Sequence, residues 1–183
     1  MDLNALLLEQ LTFHWEHQAR PRLRGLTDHE YLWEPAPSAW SLRRRGEATS
    51  AMAAGGGDWL LDFEFPEPEP APVPTIAWRL GHVIVGIFAM RNASHFGGDP
   101  IDYSSAHWSP GADGALAQLD AAYAAWVDGV RGLSEAQLAE PVGPNEGPYA
   151  SLPYAALVLH INREAIHHLA EVALLRDLYR AAH

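Results

Sequence analysis

The chain contains no cysteine and no lysine, and all twelve of its basic residues are arginine, against 23 acidic residues for a formal net charge of -11. Without cysteine it has no disulfide, no zinc–cysteine site and no thiol nucleophile of its own, and cysteine usage says nothing about redox compartment. Positive charge clusters only at Arg20, Arg22, Arg24 and at Arg43 to Arg45, too little to give a phosphate-binding face, so no nucleic acid partner is expected. Long apolar runs are also missing. The longest, around Val83 to Met90, falls far short of the ~20 residues that span a bilayer. The opening Met1-Asp2-Leu3-Asn4 lacks the basic start and apolar block of a secretory signal. The expectation is a soluble cytoplasmic protein with no membrane partner. What is present, 183 residues at 48% hydrophobic content, suits a single domain over 1–183 with a real core.

Four stretches carry helical periodicity. Leu3, Leu7, Leu11 and His14 or Trp15 recur at three-to-four spacing over about Leu3 to Arg24, with Pro21 disturbing the last turn and Gly25 as a stop. The second runs from about Pro74 to Phe96 and is closed by Gly97-Gly98. The third, about Asp113 to Gly132, lines up Leu116, Leu119, Tyr123, Trp126 and Val130; Ser134 with Gln137 then reads as a capping box. The fourth, about Leu152 to Ala182, is the most regular, with Ser151 before Pro153 as its cap. No strand pattern competes, so the fold class is all-α: a four-helix bundle with a long loop between helices 1 and 2.

That loop, Thr27 to Val73, holds Tyr31, Trp33, Trp40 and Trp59, too many large rings to leave in water, and should pack over one end or side of the bundle. Gly55-Gly56-Gly57 should be mobile, and Pro66 to Pro72 a stiff extended spacer. A connection of this length allows its two helices to run parallel.

The chemistry sits on the fourth helix. Leu157, Ile161, Glu164, His168, Glu171, Leu175 and Leu178 form one stripe by alternating steps of three and four, and in a bundle that stripe faces inward. A carboxylate and an imidazole placed where leucine is expected are costly unless paired or metal-bound. Such a stripe also suits two simpler arrangements, a face turned to water or a glutamate and histidine bonding each other. On the second helix His82 sits in a matching apolar stripe between Trp78 and Val85. A lone histidine there also suits a satisfied core residue. If the second and fourth helices pack side by side, His82, Glu164 and His168 form a two-imidazole, one-carboxylate set that suits zinc, nickel or iron(II) and leaves coordination positions open. His14 and His17 could add ligands but read rather as exposed or capping, and Arg79, Arg163 and Arg176 could bind an acidic group on the substrate but read rather as surface charges. Glu171 reads either as a group that orients a ligand imidazole or as an exposed carboxylate. The His-Glu-x-x-His motif of zinc peptidases, a second Glu-x-x-His for a di-iron bundle and a serine-nucleophile elbow are all absent.

At Ile76-Ala77-Trp78-Arg79-Leu80-Gly81-His82 and Leu159-His160-Ile161-Asn162-Arg163-Glu164-Ala165-Ile166-His167-His168 the sequence resembles the DinB superfamily of metal-binding four-helix bundles, which includes thiol-dependent transferases. Tyr31 to Pro35, Ala39 to Arg43 and Leu174 to Tyr179 are similar to actinobacterial members. The family commonly uses three histidines, two of them four apart on the last helix. Here Glu164 replaces the first of those two, a departure that resembles the mycothiol-dependent maleylpyruvate isomerase branch. The resemblance implies metal ligands His82, Glu164 and His168, with His160 and His167 as neighbours, and a mycothiol-containing, GC-rich actinobacterial source.

Three functions follow as expectations. The first is a zinc-dependent (or nickel- or iron-dependent) transferase or isomerase whose low-molecular-weight thiol cosubstrate comes from outside, the chain having none. The second is a metal-dependent hydrolase with Glu171 or His167 as base. The third is a non-catalytic binding module stabilised by its metal. The partners implied are a small-molecule substrate and a thiol, and a bundle of this size is compatible with a homodimer.

Overall fold

The computed structural model describes residues 2–183. Asp2 opens the first helix by accepting from the Ala5 N–H. This helix, α1, is α-helical over Leu3–His14, widens into a π-helix over Trp15–Ala19 and closes with an α turn over Arg20–Arg22. The wide turn, in which the Arg20 N–H reaches the Trp15 carbonyl, brings the chain up to Pro21, whose ring would collide with the i−4 carbonyl of an unbroken α-helix. Leu7, Leu11 and Trp15 are buried; Leu3, at the mouth, is exposed.

The long connection is more ordered than its composition suggests. Thr27 and Glu30 form a reciprocal capping box that starts the short helix α2, Asp28–Leu32. Strands β1 (Leu42–Arg44) and β2 (Trp59–Leu61) pair antiparallel with Leu42 opposite Leu61. The buried Asp62 carboxylate accepts from Ser41 N–H, Arg43 and Ser50 and so ties the hairpin together. Gly55 and Gly56 are packed, which corrects the expected mobility. A Cβ on Gly55 would lie 2.8 Å from Trp108 Nε1, and one on Gly56 would collide with the Ser105 carbonyl. These are sites of close backbone approach. The loop packs onto the second bundle helix, with Tyr31, Trp40, Leu42 and Leu61 buried.

That helix, α3, is α-helical over Ile76–Gly81, π-helical over His82–Ala89 and α-helical again over Met90–Phe96. Thr75 caps it, accepting from the Trp78 N–H, so it starts after Pro74, and Gly97 ends it in the left-handed region at φ 74°. The third bundle helix, α4, spans Ala112–Arg131. The Ser134–Gln137 capping box forms as expected and opens α5, Glu135–Ala139. A 3-10 turn, Pro144–Tyr149, leads to the last helix, α6, Tyr154–Ala182. Ser151 does not cap α6. Pro153 stands at that position without a side-chain bond, and a bridge from Pro141 to Pro153 holds the helix start instead.

Side-chain contacts give the helix directions. Asn4 bonds the carbonyls of Val130 and Leu133, while Trp15 stacks on Tyr123 and Arg20 pairs with Asp120, so α1 and α4 are antiparallel. Asn162 bonds the Leu7 carbonyl and Arg22 reaches Ala173, so α1 and α6 run parallel. Asn92 bonds the Ala122 carbonyl and Phe96 meets Trp126, so α3 and α4 also run parallel. The parallel neighbours are thus α3/α4 and α1/α6, whereas α1 and α3, the two helices that the long loop joins, run in opposite directions. The core runs through Leu11, Leu80, Phe88, Leu119, Trp126, Val158, Ala165 and Val172, all buried.

One anchor was not foreseen. Arg176, read above as a surface charge, is only 2% exposed. Its Nε lies 3.0 Å from Glu30 Oε1, and its Nη1 donates to the carbonyls of Arg22 and Arg24. It thereby joins α6 to α2 and to the end of α1. His14 is buried rather than exposed, its Nδ1 bonded to Gln18.

Candidate metal centre

The antiparallel α3 and α6 bring the two helical motifs face to face. The His82 and His168 rings meet edge-on, with centroids 4.7 Å apart and planes at 84°. Each ring is fixed through its Nδ1. His168 Nδ1 donates to Glu171 Oε2 at 2.8 Å, and His82 Nδ1 lies 2.6 Å from the Tyr103 hydroxyl. A carboxylate only accepts, so His168 carries its proton on Nδ1 and offers a lone pair at Nε2. When His82 donates to the Tyr103 oxygen it does the same. Glu164 Oε2 stands 3.6 Å from His168 Nε2. Arg79 Nε faces Glu171 at 2.8 Å and balances its charge.

Electrostatics keep these groups ready for coordination. Burial, then the nearby His168 and Arg79, push His82 down to about 4, so its imidazole is neutral at pH 7. Burial also lowers His168 despite its bond to Glu171. Burial alone would raise Glu164, but the bond from Arg163 and the charges of His160, Arg163 and His168 more than offset it and hold the carboxyl ionised. Burial pushes Tyr103 up to about 12, which keeps the phenol protonated. Neutral imidazoles at His82 and His168 and an ionised Glu164 carboxylate are donors of the types that a divalent ion takes.

The stripe drawn from sequence is placed with corrections. Leu157, Ile161 and Leu175 are buried, but Glu164, His168 and Glu171 lie at the border of the buried face, and Leu178 is 46% exposed. The most buried line of α6 runs one position over, through Val158, Ala165, Leu169, Val172 and Arg176. His160 and Arg163 bond each other beside Glu164. His167 is exposed, and its Nε2 is 3.5 Å from Glu171 Oε1. Ligand atoms of His167, His168 and Glu171 lie within 4.8 Å of one another, a grouping that includes neither His82 nor Glu164. The Arg79 guanidinium already faces its only carboxylate, and that opposes a cation there.

Sequence reasoning missed Tyr103, which lies in the connection between α3 and α4. It is presented by a turn in which Asp102 accepts from the Ser104 and Ser105 N–H groups. The available signal was Gly86, one turn after His82 in an otherwise apolar helix. A Cβ there would collide with the Tyr103 hydroxyl and lie 3.1 Å from His82 Nδ1. The π-helix begins at His82 itself, and π-helical turns are frequent at functional sites.

The profile of the DinB superfamily matches residues 10–172. The chain belongs to the DinB superfamily. A crystal structure of a conserved protein from Enterococcus faecalis is similar to this DinB chain with a TM-score of 0.61 at 14% identity, covering 97% of both chains; at that identity the likeness shows the shared fold alone. No curated protein matches the chain. Among the described residues, no helix of this DinB protein is long and apolar enough to cross a membrane.

Proposed function

We propose that the protein is a divalent-metal-dependent transferase or isomerase that uses a low-molecular-weight thiol of the mycothiol type, with His82, Glu164 and His168 as the metal ligands. The observation that carries this reading is the pair of facing imidazoles, each tied back through Nδ1, with His168 Nε2 toward Glu164. Metal-ligating histidines are held from behind in this way, and Glu171 and Tyr103 supply the hold here. Zinc suits two imidazoles and a carboxylate, as do nickel and iron(II). A divalent ion in such a site supplies Lewis-acid charge that favours a bound thiol or water in its deprotonated form.

The chain's own residues do the rest. Glu171 fixes the tautomer and orientation of His168, and Arg79 pairs with Glu171. Tyr103, a phenol throughout the working pH range, orients His82. Trp78 stacks on His82 with centroids 5.6 Å apart and shields that side of the ring. No cysteine is available, so a sulfur nucleophile must come from a cosubstrate. Such thiols are kept reduced in the cytosol, which puts the protein in the cytoplasm.

Metal analysis of untagged protein should give about one ion per chain, lost in His82→Ala and His168→Ala. Turnover of an electrophile panel should require added thiol. Turnover indifferent to thiol would replace transfer with hydrolysis, and metal that persists in His82→Ala but is lost in His168→Ala would move the site to His167, His168 and Glu171.

A further inference from the structure

Glu164 has two neighbourhoods. One carboxylate oxygen faces His168; the other lies 3.6 Å from His160 Nδ1, at the edge of a separate cleft of about 350 Å³ between the last segment of α3, the 3-10 turn and the start of α6. That volume lies at the small end of the ~300–1,000 Å³ typical of ligand pockets. Its wall presents the Tyr149 ring, 63% exposed, and the Leu152 side chain, 44% exposed. Both are large apolar groups left open on a concave surface.

The polar groups of the cleft are unequally engaged. Its own carboxylate, Glu146, is occupied: Oε1 accepts from His95 Nε2 at 3.0 Å and faces Arg91 Nε at 3.1 Å. Arg91, which faces that carboxylate through Nε, makes one long hydrogen bond, from Nη1 to the Gly86 carbonyl at 3.5 Å, and its Nη2 has no acceptor among the described residues. Arg163 directs Nε and Nη2 at Glu164 and His160, leaving Nη1 without an acceptor among the described residues. Each arginine is already paired with a carboxylate, and the donors that remain are Arg91 Nη2 and Arg163 Nη1, so a ligand that completes the cleft must bring acceptors of its own.

We propose that this cleft binds a small organic anion, its carboxylate on Arg91 and Arg163 and its apolar body against Tyr149 and Leu152. Guanidinium matches a carboxylate in shape and charge, and the exposed ring and leucine supply the apolar contact that orients the rest. Arg163 of the cleft bonds Glu164, which faces His168 on its other side, so on the thiol-transfer reading, on which this last step rests, the anion is the electrophilic substrate, held by arginine beside the metal centre.

Isothermal titration of the full chain with benzoate, benzyl alcohol and benzylamine, each before and after chelator treatment, tests the proposal. Benzoate should bind roughly tenfold or more tightly than the other two, with an affinity that the chelator leaves unchanged. Arg91→Leu and Arg163→Leu should each weaken it roughly tenfold. Leu152→Glu, an exposed change that places like charge in the wall, should abolish it and covers the case in which Arg91→Leu fails to fold. Equal binding of benzoate and benzyl alcohol, loss of benzoate on chelation, or indifference to all three substitutions would overturn the proposal. Benzoate binding that survives while metal analysis finds no ion would sink the thiol-transfer reading and leave the cleft intact.

Discussion

Arg176→Ala should destabilise the fold by about 3–5 kcal/mol, the usual consequence of stripping one partner from a buried ion pair. The geometry places this pair in that class: the side chains are 2% and 6% exposed and meet at 3.0 Å. Removing the guanidinium leaves the Glu30 carboxylate buried and also frees the carbonyls of Arg22 and Arg24 that it caps. Glu30→Gln keeps the shape and should cost less, about 1.5–3 kcal/mol, the range for hydrogen bonds to charged groups. The double variant Arg176→Met with Glu30→Leu should recover much of the loss, because matched apolar replacements of buried pairs are often neutral. Urea denaturation followed by far-UV circular dichroism, with m-values held constant, reads all three. The pH dependence is a second check. Burial alone would raise the Glu30 carboxyl, but Arg176, the Thr27 backbone and Arg180 together hold it below its ordinary value. A carboxyl depressed in the folded state contributes stability that is complete above the unfolded value of about 4.3 and is lost as pH falls through the folded value. Stability between about pH 5 and 3 should therefore fall less steeply in Glu30→Gln. An Arg176→Ala loss under about 1 kcal/mol, or strictly additive single and double changes, would refute the reasoning.

Other outcomes are equally specific. Glu171→Gln keeps the size of the group behind His168 but removes its charge, and metal affinity measured by chelator competition should fall about 10–100-fold. Gly86→Ala should displace Tyr103 from His82 and lower metal affinity over a similar range of about 10–100-fold, with little change in overall helicity. Gly129→Ala forces a methyl into the Phe96 ring and should destabilise by about 1–3 kcal/mol in thermal or urea melts without touching metal affinity.

The bundle was legible because four amphipathic stretches kept a 3.6-residue period over several turns each, and burial of Leu11, Leu119, Trp126 and Ile161 follows that period. The helix ends were legible where a specific cap was present, as at Ser134 and Gly97, and illegible at α6, where a loop bridge does the work of a side chain. The Thr27-x-x-Glu30 spacing is a readable cap set in surroundings with the composition of a loop. His82 and His168 could be nominated as apolar-stripe histidines, but their partners could not. Tyr103 arrives from a turn, and Arg79 reaches Glu171 across a helix pair, so neither contact has a periodicity. Arg176 was misplaced because arginine is almost never fully buried unless paired, and its partner lies 146 positions away in sequence.

The π-helical stretch that begins at His82 has a bearing on any attempt to shorten, lengthen or graft this helix. Each residue of a regular helix turns the chain by about 100°, so the wider coil over His82–Ala89 rotates everything beyond it relative to His82. Arg91 at the anion cleft, Asn92 on the Ala122 carbonyl and Phe96 beside Gly129 all lie downstream of that offset. Deleting one residue inside the stretch would leave the upstream histidine in place while swinging those three side chains by about a quarter turn, uncoupling the cleft from the centre. The spacing between the two sites is thus written in an irregularity of the coil.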